Sequence, residues 1–523
     1  MLLQFTNMRK QFRYLSFLFV IILYSCSNTR KLAHSDNGKI DVNFVLINDV
    51  YEIAPLEGGK TGGMARVATV KKELLQKNPN TYMVMAGDFL SPSVYNSLKF
   101  EGSRIRGRQM VEAMNDAGVD LAIFGNHEFD INENELLSRI NESRFKWISS
   151  NTFHQTANGV VPFAKTLAGT AEPFAKTYIM TVRDADGTTA RIGFMGLTLP
   201  FNNAGYVNYT DLFATAQTCY NQLKDSCDAV VAITHQLMED DSLLALKIPG
   251  LALILGGHEH DMRYGKVGNV IITKAHANAR SAYIITLELN KIKHQVKVST
   301  RLQMINDQIA ADSLTDAGVK KWMSIGEKNY AALGFDARKV VMANGDPLDG
   351  RESMIRTQTT NFTKLIIQAM KQASPESDLV LINSGSIRVD DILQMPVTQY
   401  DIIRSLPFGG SIMEVDMKGS LLLRIMAASL KNMGIGGFLQ YSPELVHISG
   451  TGNWSLHGNP IDPDKVYKIA LTDFLMTGGE ANMDFLKKDN PEIIKIYPTH
   501  TDVTDARSDI RLAIIKYIAG LKP

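Results

Sequence analysis

Along the first half of the chain, apolar runs of strand length end five times in a residue able to hold a metal. Val42 to Ile47 stops at Asn48-Asp49, Tyr82 to Ala86 at Gly87-Asp88, Leu121 to Phe124 at Gly125-Asn126-His127, Ala229 to Thr234 at His235, and Leu251 to Leu255 at Gly256-Gly257-His258-Glu259-His260. Their β-branched and large apolar content predicts buried strands, and the 3.6-residue periodicity of Val67 to Gln76 and Gln109 to Ala117 predicts helices between them. This βαβ order predicts ligands at the carboxyl ends of the strands, so the five clusters are expected to converge on one site. After Ser299 the alternation gives way to a polar helical stretch, Asp312 to Leu333, and a new pattern begins at Ala337.

Asp49, Asp88, Asn126, His235, His258 and His260 offer oxygen and imidazole nitrogen but no thiolate, a donor set that suits catalytic Zn, Mn, Fe or Co better than a structural zinc knot. Six donors exceed what one catalytic ion with an open position can use. They suit two divalent ions about 3.5 to 4 Å apart, bridged by a carboxylate, which favours phosphoester hydrolysis. His127, beside a metal-capable residue and with Asp130 three residues on, can be oriented and kept cationic. The GGKT of Gly58 to Thr61 is no phosphate-binding P-loop, because Ala54 stands where that motif requires its first glycine.

GDF from Gly87, GNHEFD from Gly125, TH at His235 and GGHEH from Gly256 resemble the signature blocks of the calcineurin-like metallophosphatases. More narrowly, the whole chain resembles the bacterial 5'-nucleotidase and UDP-sugar hydrolase family. That resemblance implies an α/β and α+β architecture, a four-layer metallophosphatase sandwich followed by a 5'-nucleotidase C-terminal α/β domain. It implies one ion on Asp49, Asp88 and His260, and another on Asp88, Asn126, His235 and His258, with Asp88 bridging; zinc, manganese, iron, cobalt and magnesium all remain open. It implies His127 and Asp130 as the catalytic dyad. The chain departs from the family where Asp-x-His reads Asp49-Val50-Tyr51, so Tyr51 is expected beside the ligands rather than among them, with a phenolate ligand to ferric iron as the alternative. Glu52 is a spare carboxylate nearby. His276 in KAHANAR follows the run Val270 to Thr273 and is expected to be structural.

The second half resembles the family's substrate-binding domain. Leu348 to Asn361, LDGRESMIRTQTTN, implies Arg356 and Arg351 as phosphate-binding arginines, whose planar forks engage two oxygens at once. LINSGSIR implies roles for Asn383 and Arg388, LPFGG and TDFLMTGGE place Phe408 and Phe474 as a clamp for a base, and Glu480 stands where the family has an aspartate for the ribose hydroxyls. Gly410, the serines of NSGS and Thr363-Lys364 depart from the family's pattern.

At 523 residues, 45% apolar and with a net charge of +1, the chain can build two cores and is a poor partner for a nucleic-acid polymer. Arg9, Lys10 and Arg13 precede an apolar stretch, Leu15 to Tyr24, too short to span a membrane, and Leu23-Tyr24-Ser25-Cys26 resembles a lipobox. The expected organisation is therefore a lipoprotein signal over residues 1–26 with a membrane-anchoring lipid on Cys26, a tether at 27–39, a catalytic domain at 40–310, a linker helix at 311–336 and a substrate-binding domain at 337–523. An exported, lipid-anchored phosphoesterase acting on nucleoside 5'-monophosphates or related nucleotides is the leading expectation. The alternatives are a 2',3'-cyclic-nucleotide or sugar-phosphate phosphoesterase, and a silent nucleotide-binding lipoprotein. Cys219 and Cys227 are expected either as a pair or as two reduced thiols. The oligomeric state is not legible.

Overall fold

The computed structural model describes residues 36–200, 204–448 and 453–521; Cys26, the signal and most of the tether lie outside them. Two six-stranded sheets form the first domain. One orders the strands Gln295–Met304, Ser281–Asn290, Lys39–Ile47, Thr81–Met85, Leu121–Ala122 and Lys146–Trp147. The other orders Thr177–Arg183, Thr189–Thr198, Ala229–His235, Leu253–Gly257, Val270–Lys274 and Arg263–Val267.

Side-chain alternation along a strand explains the unbroken apolar runs. Val42, Phe44 and Leu46 face the inter-sheet core with Phe194, Val231 and Leu253. Val45 and Ile47 face the opposite way, into a core shared with the helices Met64–Lys77 and Arg108–Ala117. On the far side, Leu223 and Leu244 of the helices Leu212–Leu223 and Met238–Lys247 cover Met195, Leu197 and Ile254. The result is a helix, sheet, sheet, helix sandwich of four layers.

The stretch expected as a connecting helix forms Ser313–Ala332, started by the Asp312 side chain accepting from the Thr315 amide. It is docked rather than free: Val319 and the fully buried Trp322 join the core under the first two helices. The second domain is a five-stranded sheet in the order Leu439–Tyr441, Leu379–Asn383, Val466–Thr472, Ile412–Lys418 and Ile493–Ile496. One face packs on the helices Asn361–Ala373 and Ile510–Gly520, the other on Gly419–Lys431. Ile403 and Leu512 of this domain enter the core of the first, and the Tyr400 hydroxyl donates to Glu52 across the junction. Cys219 and Cys227 are both free thiols. Among the described residues no helix is long and apolar enough to cross a membrane.

Candidate active site

The five strand ends meet where the two sheets present their carboxyl edges to one another. Asp49, Asp88 and Asn126 follow strands of the first sheet, and His235 and His258 end or follow strands of the second. Asp49, Asp88 and His258 hold left-handed backbone at φ 51°, 55° and 88°, a cost in non-glycine residues that is characteristic of over-determined functional turns. Glycine is required beside them. A Cβ on Gly125 would come within 2.1 Å of Asp88 Oδ1, and one on Gly257 within 2.3 Å of the Ala86 carbonyl oxygen.

Ligand-capable atoms of Asp49, Asp88 and His235 lie within 4.8 Å of one another. His235 Nε2 is 3.1 Å from Asp88 Oδ2, while Asp49 Oδ1 is 3.9 Å from His235 Nε2 and 3.7 Å from His260 Nε2. The His258 ring stands 5.3 Å from that of His235. Asp49 Oδ1 and Asn126 Oδ1 are buried with no hydrogen-bond partner among the described residues, and the buried His235 Nε2 faces only carboxylates, Asp88 at 3.1 Å and Asp49 at 3.9 Å. Orphaned donors and acceptors are costly in a native interior, and these three are the atoms a metal would satisfy. The donor set therefore fits divalent ions.

Supports hold each group. Asn48 donates to Asp49 Oδ2 at 2.6 Å, His235 Nδ1 lies 2.8 Å from the Ala86 carbonyl, and Glu128 accepts the amides of Asp88, Phe89, Leu90 and Gly125. Glu128 thus binds the GDF turn to the GNHEFD turn. Burial, joined by the Asp88 charge, pushes its carboxyl up to about 7. Burial and the neighbouring His235 charge push His258 down to about 3, disfavouring its protonated form. Burial opposes charge on His235, but Asp88 and Asp49 outweigh it and raise the imidazole to about 9. Burial would also raise Asp88, yet His235 and His127 hold it below the usual carboxylate range.

His127 Nδ1 sits 2.7 Å from Asp130 Oδ2, and its amide donates to Asp88 Oδ1 at 2.8 Å. Burial lowers its pKa, but Asp88 and Asp130 prevail and raise it. The Tyr51 hydroxyl lies 3.2 Å from Asp88 Oδ2 and 3.0 Å from His260 Nε2, beside two of the candidate ligand atoms. Burial first, then Asp88 and Asp49, raise this phenol well above its ordinary pKa. His276 pairs with Ser281 through its amide at 3.0 Å and Nδ1 at 2.9 Å.

A cavity of about 340 Å³ opens over these groups and is walled on the other side by Arg351, Arg356, Arg388 and Asp390 of the second domain. Glu352 Oε1 takes Arg356 at 2.5 Å and Arg388 at 3.5 Å, whereas Arg351 is paired with Asp349 at 2.7 Å. The remaining expected residues form a separate group on the second domain. Asn383 Nδ2 donates to Glu480 Oε2 at 2.7 Å. Phe408 and Phe474 flank the paired ends Ile412 and Thr472, tied by Asp473 accepting from Ser411, and are 63% and 43% exposed. None of these four lines the cavity. Glu128, Lys274, Glu352 and Asp390 escape sequence reasoning. Lys274 is wholly buried and donates to the Gln236 carbonyl and to Glu259, supporting the GGHEH turn from below.

Residues 42–262 match the calcineurin-like phosphoesterase family, and residues 340–488 match the family described as 5'-nucleotidase, C-terminal domain. With the site, these matches define a metal-dependent phosphoester hydrolase. The 5'-nucleotidase of Bos taurus is 24% identical over 479 residues, covering 80% of this chain and 78% of that protein. Endonuclease YhcR of Bacillus subtilis is 26% identical over 464 residues, 84% of this chain but 36% of that protein. The crystal structure of a 5'-nucleotidase precursor from Thermus thermophilus shares the fold, with a TM-score of 0.67 and 21% identity over 92% of this chain and 96% of that one. The chain thus carries, in order, the two domains that characterise the 5'-nucleotidases, a calcineurin-like phosphoesterase domain and a 5'-nucleotidase C-terminal domain.

Proposed function

We propose that the protein hydrolyses nucleoside 5'-monophosphates or closely related nucleotides to nucleoside and phosphate. The observation that carries this reading is the sharing of one cavity by Arg356 and Arg388 from the second domain with His127, Asp88 and Asn126 from the first. Asp49, Asp88, Asn126, His235, His258 and His260 would hold two divalent ions, which when bound polarise the phosphoryl group. His127 directs Nδ1 to Asp130 and lies against the cavity, where Asp88 and Asp130 favour its protonated form and it would stabilise charge developing on the phosphoryl oxygens. Arg388 and Arg356 bind the same oxygens and orient them, with Glu352 holding both guanidinium groups in place.

Exposed Phe408 and Phe474, with Asn383 and Glu480 nearby, are the groups proposed to receive the base and ribose. The same reading has the enzyme exported and held by a lipid on Cys26, supported by the basic, apolar and cysteine order of the amino terminus. Cys26→Ser should then move activity from the membrane fraction to the soluble one.

The test is phosphate release from nucleoside 5'-monophosphates, 2',3'-cyclic nucleotides and sugar phosphates, each with manganese, zinc, cobalt and magnesium. Preferential release from 5'-monophosphates is expected. Equal or better turnover of cyclic nucleotides or sugar phosphates overturns the substrate assignment.

A further inference from the structure

Residues 388–391 of the second domain grip the first at successive points. Arg388 Nη2 approaches His127, Asp390 Oδ2 lies 2.7 Å from His260 Nδ1, and Asp391 Oδ2 pairs with Arg280 at 2.5 Å. Asp390 is held in left-handed backbone at φ 38° and accepts the Glu352 amide at 2.6 Å through its other oxygen. One carboxylate therefore ties an imidazole of the metal cluster to the start of the short helix Glu352–Ile355, whose flanking Arg351 and Arg356 line the cavity.

An imidazole that ligates a metal through one nitrogen is commonly oriented by a carboxylate on the other, and loss of that partner typically weakens metal binding by about 10- to 100-fold. Here Nδ1 faces Asp390, while Nε2 is 3.7 Å from Asp49 Oδ1. The orienting carboxylate belongs to the opposite domain. We propose that Asp390 is a positioning residue that sets His260 for metal binding, so that the metal position at Asp49 and His260 is complete only with the second domain docked. This rests on the reading of His260 as a ligand. Because Asp390 also anchors the arginine-bearing turn, metal and phosphate binding are linked, and each must strengthen the other by the same factor.

The experiment titrates manganese into the metal-stripped full chain by calorimetry, with and without inorganic phosphate, for wild type, Asp390→Ala and Asp390→Asn. Wild type should bind two ions, one of them more tightly when phosphate is present. Asp390→Ala should weaken one ion by about 10- to 100-fold, leave the other unchanged and lose the effect of phosphate, with the Tm of the metal-free protein preserved. Asp390→Asn, which keeps an acceptor for Nδ1–H and the shape of the side chain, should fall between the two and serves alone if the alanine variant does not fold. Two ions bound by both variants as by wild type overturn the proposal while leaving the phosphoesterase reading intact. Equal weakening at both positions with a lowered metal-free Tm also overturns it, by assigning Asp390 to the fold. No ion bound by wild type removes His260 as a ligand, and the proposal with it.

Discussion

Arg388 Nη2 stands 3.3 Å from His127 Nδ1, a close approach of a guanidinium and an imidazole supplied by different domains. Glu352 at 3.5 Å from Arg388 and Asp130 at 2.7 Å from His127 hold the two groups from behind. The Arg388 charge disfavours protonation of His127, although Asp88 and Asp130 more than offset it. A guanidinium and an imidazole whose protonation its carboxylate neighbours favour, side by side at a cavity, suit an anion. A phosphoryl group entering there gains charge-assisted hydrogen bonds from both.

Arg388→Ala should accordingly lower kcat/KM by roughly 10- to 100-fold, the value of about 1.5 to 3 kcal/mol expected for a hydrogen bond to a charged group. Arg388→Lys should recover only part of this, since an ammonium lacks the fork that spans two oxygens. Steady-state kinetics check it, and an unchanged kcat/KM in Arg388→Ala would remove this arginine from the phosphate site.

The first domain was legible in the sequence because burial on both strand faces produces continuous apolar runs, and because each run ends in a chemically distinctive residue such as Asp88 or His235. The division of those runs between two sheets was not legible, since periodicity reports which faces are buried and not against which partner. Glu128 stands in view within GNHEFD, yet its task of collecting four backbone amides exists only once the turns of Asp88 and Asn126 are adjacent. Asp390 carries no local signal at all, because its partner His260 lies in the other domain. The same limit applies to the docked helix Ser313–Ala332, whose polar exposed face conceals the buried Trp322.

We propose that Tyr51 supports metal ligands rather than being one. Its hydroxyl touches Asp88 and His260, and burial beside two carboxylates disfavours the phenolate. Tyr51→Phe should retain activity within several-fold, consistent with about 0.5 to 1.5 kcal/mol for one neutral hydrogen bond. Visible absorption of the purified protein provides the check: an iron-phenolate band bleached by Tyr51→Phe together with activity would make this tyrosine a ligand.

Phe408 and Phe474 are exposed enough to stack on a base, and neither lines the cavity proposed to receive the phosphate. Replacing both by Ala should raise KM for a nucleoside 5'-monophosphate by about 10-fold or more, given about 1 to 3 kcal/mol per stacked base. Hydrolysis of a small aryl phosphate should change little. Equal losses on the two substrates would contradict the clamp.

Glu52 links stability to pH across the domain junction. Burial raises its carboxyl to about 7, against the opposing effects of the Tyr400 hydrogen bond and Arg404. With the folded pKa above the ordinary value of about 4.3, its contribution to stability is greatest at low pH and declines as pH rises towards 7. Glu52→Gln, which stays neutral, should gain Tm relative to wild type at pH 8 but not at pH 5. A difference that is the same at both pH values would contradict this assignment.

If two divalent ions share the Asp88 carboxylate and supply the phosphoester hydrolysis, the most direct measurement is metal content and phosphate release determined together for wild type and Asp88→Asn. Wild type should carry close to two ions per chain and release phosphate from nucleoside 5'-monophosphates, while Asp88→Asn should lose metal and nearly all turnover. Full turnover by Asp88→Asn, or an active wild type without bound metal, would contradict the account.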